Sequence, residues 1–147
     1  MTVNIDITKE LKAVEKLIKS DINKEKTILG LYNYIFKSNG KKIRSRLNLI
    51  ASSSSKNSDR YKLASIIELL HTATLVHDDV VDNASTRRGA MSVNSLWSNA
   101  HGVLIGDYIY SKAFMLMVEI GKKDILAELA DATNDISQGE LIQLDAI

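Results

Sequence analysis

The chain has 147 residues, 45% apolar and 25% charged, which is the make-up of one soluble globular domain with a real core. Lys and Arg (19) nearly balance Asp and Glu (18), so no global field points to nucleic acid or an acidic membrane. The absence of cysteine excludes disulfides, thiolate metal sites and cysteine nucleophiles, and agrees with a cytoplasmic setting.

Taken in order, the chain reads as nearly all helix, as its lack of proline permits. Met1 to Asp6 has no basic region leading into an apolar core, so no secretion signal is expected. Leu11, Val14, Leu17 and Ile18 fall at helical spacing behind a cap at Thr8. A second helix is expected from about Lys24 to Ser38, with Ile28, Leu31, Tyr32 and Ile35 inward and Asn39-Gly40 as its stop. Lys41-Lys42-Ile43-Arg44 then restarts the helical pattern. Lys41 and Arg44, three apart near a helix amino terminus, form either a solvated basic face or, with free N–H groups, a phosphate site. Ser52 to Asp59 is a polar connector.

From Tyr61, Leu63, Ile66, Ile67, Leu70 and Thr74 step by three and four, while Leu69, Leu75 and Val76 fill the other sides. Such a helix is central and largely buried. Its polar residues Glu68, His71, Asp78 and Asp82 fall within roughly an 80° arc, and one polar stripe on a buried helix implies a cavity. A lone His on a buried helix is more often a hydrogen-bonded core residue. Two turns from paired carboxylates on the same face, His71 is read as a cavity residue.

The sharpest signal is His77-Asp78-Asp79-Val80-Val81-Asp82. Asp78 and Asp82 share a helix face about 6 Å apart along the axis, with Asp79 turned roughly 100° aside. At an effective dielectric near 20, each ionised pair repels by on the order of 3 kcal/mol, and the carboxylates also oppose the helix dipole. Asn83-Ala84-Ser85-Thr86 reads as a turn, so the stretch is either a solvated acidic turn or a site answered by a cation. Arg87-Arg88-Gly89 follows. The arginines either pair with the aspartates or, opposite acids that hold Mg²⁺, help to grip a diphosphate from two sides.

A further helix is expected from Ser98 or Asn99 to about Ile120, with Gly102 and Gly106 allowing close approach to a neighbouring helix and Asp107 either cavity-facing or a buried paired acid. Gly121 breaks the chain, and Asp124 caps a last helix with Ile125, Leu129, Ile136 and Leu144 inward and Glu140 and Gln143 on one side. The longest apolar run, Val103 to Val118, is interrupted by Asp107 and Lys112 and is too short and polar to span a bilayer. No nucleotide-binding, zincin or serine-hydrolase motif is present.

Gly40-Lys41-Lys42-Ile43-Arg44, the stretch from Glu68 to Asp82, Arg87-Arg88-Gly89 and Gly106-Asp107-Tyr108 together resemble the trans-isoprenyl diphosphate synthases, specifically the polyprenyl group that includes octaprenyl diphosphate synthase. The resemblance runs from about residue 25 to the end. It implies an all-α antiparallel helical bundle around a central cavity, of isoprenoid synthase type, with residues 1–147 as a single all-helical domain forming its N-terminal half. It implies Mg²⁺ ligands at Asp78 and Asp82 with Asp79 supporting. Arg87 would bind the allylic diphosphate, and Lys41, Arg44, His71 and Arg88 would hold isopentenyl diphosphate. In the implied reaction the metal-bound diphosphate leaves the allylic substrate, the isopentenyl double bond attacks the carbocation and a proton is lost. Asp78, Asp82 and Arg87 are then the catalytic residues. A homodimer without a nucleic-acid partner is implied as well.

Product length in this family depends on bulk just before the first aspartate, where Ala73 and Thr74 are small, as in long-chain synthases. Helix geometry places Thr74 about 40° from Asp78 and Ala73 about 140° away, which favours Thr74 as the wall residue. The family's Gly-Gly-Lys-Arg-x-Arg-Pro reads here Asn39-Gly40-Lys41-Lys42-Ile43-Arg44-Ser45. Its second aspartate-rich motif has no counterpart, so the chain is expected to supply one cavity wall and roughly half the metal ligands, and need not be active alone. Two other readings compete. A non-catalytic partner or regulatory subunit has no physical need for Asp78, Asp82, Arg87 and Arg88, and a terpene cyclase has no isopentenyl diphosphate for Lys41, Arg44 and His71 to hold.

Overall fold

The computed structural model describes residues 8–37 and 59–146. The helical restart at Lys41 and the connector from Ser52 to Ser58 lie outside the described residues. Helix α1 spans Thr8–Lys19, α2 Lys26–Phe36 and α3 Asp59–Val81. A hairpin of β1 (Thr86–Arg87) and β2 (Ala90–Met91) and a single helical turn α4 (Val93–Leu96) lead into α5 (Asn99–Ile120) and α6 (Lys123–Asp145).

Local chemistry sets the helix ends. Glu25 caps α2 by accepting from the N–H groups of Ile28 and Thr27 at 3.0 and 2.9 Å, and these bonds hold its carboxyl below the usual range. The Ser98 side chain accepts from the His101 N–H to open α5, and Gly121, at φ 66°, closes it in the left-handed conformation. Helix α3 ends with Asn83 at φ 54° and the Ala84 N–H donating back to the Asp79 carbonyl at 2.9 Å. Asp78, Asp79 and Asp82 therefore all lie at the negative end of the helix dipole.

The core lies between α3 and α5, which run antiparallel: Val80 meets Gly102, His77 meets Gly106, Thr74 meets Tyr110 and Lys62 meets Glu119. Ile66, Leu69, Ala73 and Val76 form the buried stripe of α3, opposite Ile105, Ile109, Ala113 and Leu116. Burying each Ile or Leu stabilises the fold by roughly 1.5–3 kcal/mol. The glycines act as expected. A Cβ at Gly106 would enter the His77 ring, and one at Gly102 would meet Val80 Cγ2 at 2.7 Å.

Helix α1 lies along α3 in the same direction, joined through Glu10 to Arg60 and through the Val14 carbonyl to the Ser65 hydroxyl. The α1–α2 loop is clamped to α5: the Tyr108 hydroxyl accepts from the Asn23 N–H, and the half-buried Lys112 ammonium donates to the Ser20 carbonyl. Burial pushes the Lys112 pKa down, against the opposing charges of Asp21 and Glu119.

Helix α6 differs from expectation. Ile125 and Leu129 pack on the core, but Ile136 and Leu144, expected inward, are 50% and 49% exposed, and no residue of α6 is fully buried. Helical spacing marked an apolar face correctly, yet among the described residues nothing covers that face beyond its first turns. No described helix is long and apolar enough to cross a membrane.

Candidate functional site

The Arg87-Arg88-Gly89 stretch is more ordered than a bare turn. Arg88 and Gly89, at φ 52° and 80°, are the two central residues of a tight hairpin that pairs Arg87 with Ala90 and Thr86 with Met91. Positive φ at both positions is the geometry that matches strand twist, and Gly supplies the second at no steric cost. The base of the hairpin is tied down by the Ser92 hydroxyl and the Asn94 amide, which both donate to the Ala84 carbonyl, and by the Ser92 N–H, which donates to the Ser85 carbonyl.

The hairpin returns Arg87 to α3. Its Nε and Nη2 donate to the two carboxylate oxygens of Asp79, each at 2.8 Å. The Asp79 side chain is 8% exposed and that of Arg87 38%, so the fork is set into the protein surface with its cationic half reaching out. These bonds push the Arg87 pKa up, against burial, with the charges of Asp79, Asp78 and Asp82 adding to the effect. Asp79, grouped in sequence with Asp78 and Asp82 as a supporting metal ligand, stands in the structure as the anchor of Arg87. Its place on the helix explains this, since the 100° that separates it from Asp78 aims it at the hairpin.

Arg87, Arg88, Asp79, His71 and Glu68 line one cavity of about 280 Å³, closed from α1 and α2 by Ile18 and Tyr34. The polar stripe expected on α3 is therefore divided: Glu68 and His71 face this basic cavity with Asp79, while Asp78 faces elsewhere. Lys41 and Arg44, the other expected cations, lie outside the described residues.

Asp78 turns toward α6, where its carboxylate faces that of Glu140. Desolvation of the Glu140 carboxyl, then the Asp78 charge, pushes the Glu140 pKa up. Below it, His77 and Asp107 line a second, more open cavity of about 470 Å³, together with Tyr110, Phe114, Ser137 and Glu140. His77 Nε2 lies 2.9 Å from the Val103 carbonyl and 3.3 Å from Asp107 Oδ1, so this nitrogen carries the proton and donates. Asp107 belongs to a cavity rather than to a buried pair. Thr74 turns the same way, with its hydroxyl 2.9 Å from the Leu70 carbonyl and 3.1 Å from the Tyr110 hydroxyl, whereas Ala73 is fully buried in the core.

Carboxylate oxygens are the donors that suit a hard divalent cation. Among the described residues no three His, Cys, Asp or Glu side chains are placed to close around a metal. Tyr34 and Tyr110 were not singled out in the sequence. Neither carries a motif, and each becomes visible only through the helix it faces.

An antiparallel helical core with aspartates closing its central helix and a double-arginine hairpin beside them defines the class first, an all-α fold of isoprenoid-synthase type. The chain belongs to the polyprenyl synthetase family, whose model matches residues 6–147. It is 35% identical over 144 residues to an all-trans-nonaprenyl-diphosphate synthase (geranyl-diphosphate specific) of Rhodobacter capsulatus, covering 95% of this chain and 44% of that protein. It is 34% identical over 145 residues to the octaprenyl diphosphate synthase of Escherichia coli, covering 97% and 45%. Among solved structures, a polyprenyl synthase from Caulobacter crescentus complexed with calcium and isoprenyl diphosphate superposes with TM-score 0.89 at 35% identity, covering 94% of this chain and 43% of that one. The chain thus spans less than half the length of these relatives.

Proposed function

We propose that the protein to which this chain belongs is a trans-polyprenyl diphosphate synthase, joining isopentenyl diphosphate to an allylic diphosphate and repeating the step to a long-chain product. The observation that carries this reading is the division of one turn of α3. Asp79 faces a basic cavity and holds Arg87, while Asp78, one residue earlier, turns to the carboxyl of Glu140. The chain's likeness to polyprenyl diphosphate synthases, and to a solved polyprenyl synthase complexed with calcium and isoprenyl diphosphate, supports the synthase reading.

In this reading His71 and Arg88, with Lys41 and Arg44, hold the diphosphate of isopentenyl diphosphate. Arg87, oriented by Asp79, grips the allylic diphosphate and stabilises the charge that builds as the allylic C–O bond breaks and diphosphate departs with the electron pair. The isopentenyl double bond then forms the new C–C bond and a proton leaves. Asp78 and Asp82 would hold Mg²⁺, which supplies further stabilisation of the departing charge when bound. The aromatic rings of Tyr110 and Phe114 help to keep water from the cationic carbon. Thr74 is the chain-length wall residue and Ala73 lies behind it. Replacing Thr74 with Phe shortens the product, and an unchanged length on product chromatography would count against that role. The reading also carries a cytoplasmic homodimer, for which Leu104, Met115 and Val118 on α5 offer an exposed apolar face.

The test is turnover by the full-length protein with isopentenyl diphosphate, an allylic diphosphate and Mg²⁺. A long-chain polyprenyl diphosphate is expected; no condensation would defeat the reading.

A further inference from the structure

The hydroxyl of Tyr34, on α2, donates to the Met91 carbonyl at 2.7 Å across 57 residues of chain. Met91 is the β2 residue opposite Thr86, so the bond attaches the outgoing strand of the arginine hairpin to a different helix from the one that anchors Arg87. The ring is itself held, edge to face against Trp97 at 5.2 Å and beneath the Lys37 ammonium at 4.4 Å. Tyr34, Met91, Arg88 and His71 line the same cavity. Among the described residues, the other hydrogen bonds that tie the hairpin down reach its base at Ala84 and Ser85 or its first strand at Arg87. Arg88 occupies the left-handed region without being glycine, a conformation that persists only when its surroundings enforce it.

We propose that Tyr34 is a positioning residue for Arg88: its hydroxyl fixes the turn over the basic cavity, and so sets where the Arg88 guanidinium meets a diphosphate. The inference rests on the reading of that cavity as a diphosphate site.

Inorganic diphosphate binding to the full-length protein, measured by calorimetry for wild type, Tyr34→Phe, Arg88→Ala and the double variant, tests it alongside thermal melts. Tyr34→Phe is expected to weaken binding about fivefold, the loss of roughly one neutral hydrogen bond, and to have no further effect in the Arg88→Ala background. A role in stability alone would lower the melting temperature in both backgrounds and leave affinity unmoved, and that result overturns the proposal. So does an affinity loss of the same size in both backgrounds. Where Arg88→Ala brings binding below detection, amide exchange decides: faster exchange across residues 88–91 in Tyr34→Phe supports the proposal, and unchanged exchange overturns it. Wild-type protein that binds no diphosphate removes both the proposal and the site on which it rests. Protein that binds diphosphate with the coupling intact, yet condenses no substrates, removes the synthase reading and leaves the role of Tyr34 standing.

Discussion

On one flank of α3, Asp79 is buried and holds Arg87 through two hydrogen bonds, in a cavity closed by a hairpin and by α2. On the other flank, one residue earlier, Asp78 meets the like charge of Glu140, and the helix that brings Glu140 buries none of its residues. The same side-chain type thus has opposite standing. The first carboxylate is satisfied within the protein, while the second is held where its charge is opposed. Satisfied groups support a fold, and opposed ones mark where an external charge belongs.

The widest separation of the two flanks comes from replacing each aspartate in turn. Asp78→Asn should lower turnover of the full-length protein about 10²–10³-fold while leaving its melting temperature unchanged or higher, since like-charge repulsion is relieved. Asp79→Ala should instead cost roughly 2 kcal/mol in urea unfolding, because it removes a bidentate charged pair whose arginine is partly solvated. Equal stability losses for the two would erase the distinction. Gly106→Ala comes next, at about 1–3 kcal/mol, because its methyl group would need the space of the His77 ring; calorimetric melting measures this directly.

A smaller effect belongs to the well-packed side. The Tyr32 hydroxyl is buried and donates to the Ile18 carbonyl, and burial, with a lesser effect of Tyr108, pushes its pKa up. A pKa raised in the folded state gives stability that is full below the unfolded value near pH 10 and is lost as pH rises beyond it. Tyr32→Phe should cost about 1 kcal/mol at neutral pH and flatten the alkaline decline, seen by comparing urea midpoints at about pH 8 and about pH 11. The smallest effect lies on the bare side. Ile136→Gln, in the chain as it stands here, should change stability by less than about 0.5 kcal/mol, and a larger loss would show that the outer part of α6 packs more closely than its exposure indicates.

Much of this was legible in the sequence, and the failures have physical causes. Periodicity located the long helices, and Gly102 and Gly106 announced the close α3–α5 contact. The buried stripe of α3 was harder to read, because Ala64, Ser65 and Ala73 fill its tightest contacts and small residues carry little hydropathy signal. Helical angles placed Asp79 apart from Asp78, but only the Arg88-Gly89 turn reveals what it meets. An X-Gly pair at a hairpin tip was the available clue. Tyr34 left no trace, since a tyrosine that donates to a carbonyl 57 residues away has no local signature. For Ile136 and Leu144, an apolar face shows that a surface is made for covering but not what covers it.

The hairpin also bears on the order in which the molecule assembles. Its ties to the end of α3, Asp79 to Arg87 and Asn94 to Ala84, close over separations of 8 and 10 residues, whereas Asp78 waits for Glu140 from far along the chain. Loops of about 10 residues close within roughly 10–100 ns, and contacts distant in sequence form later because more chain entropy must first be lost. The arginine fork can therefore be in place as soon as this stretch has emerged during synthesis, and the acidic flank is completed against a partner that is already set.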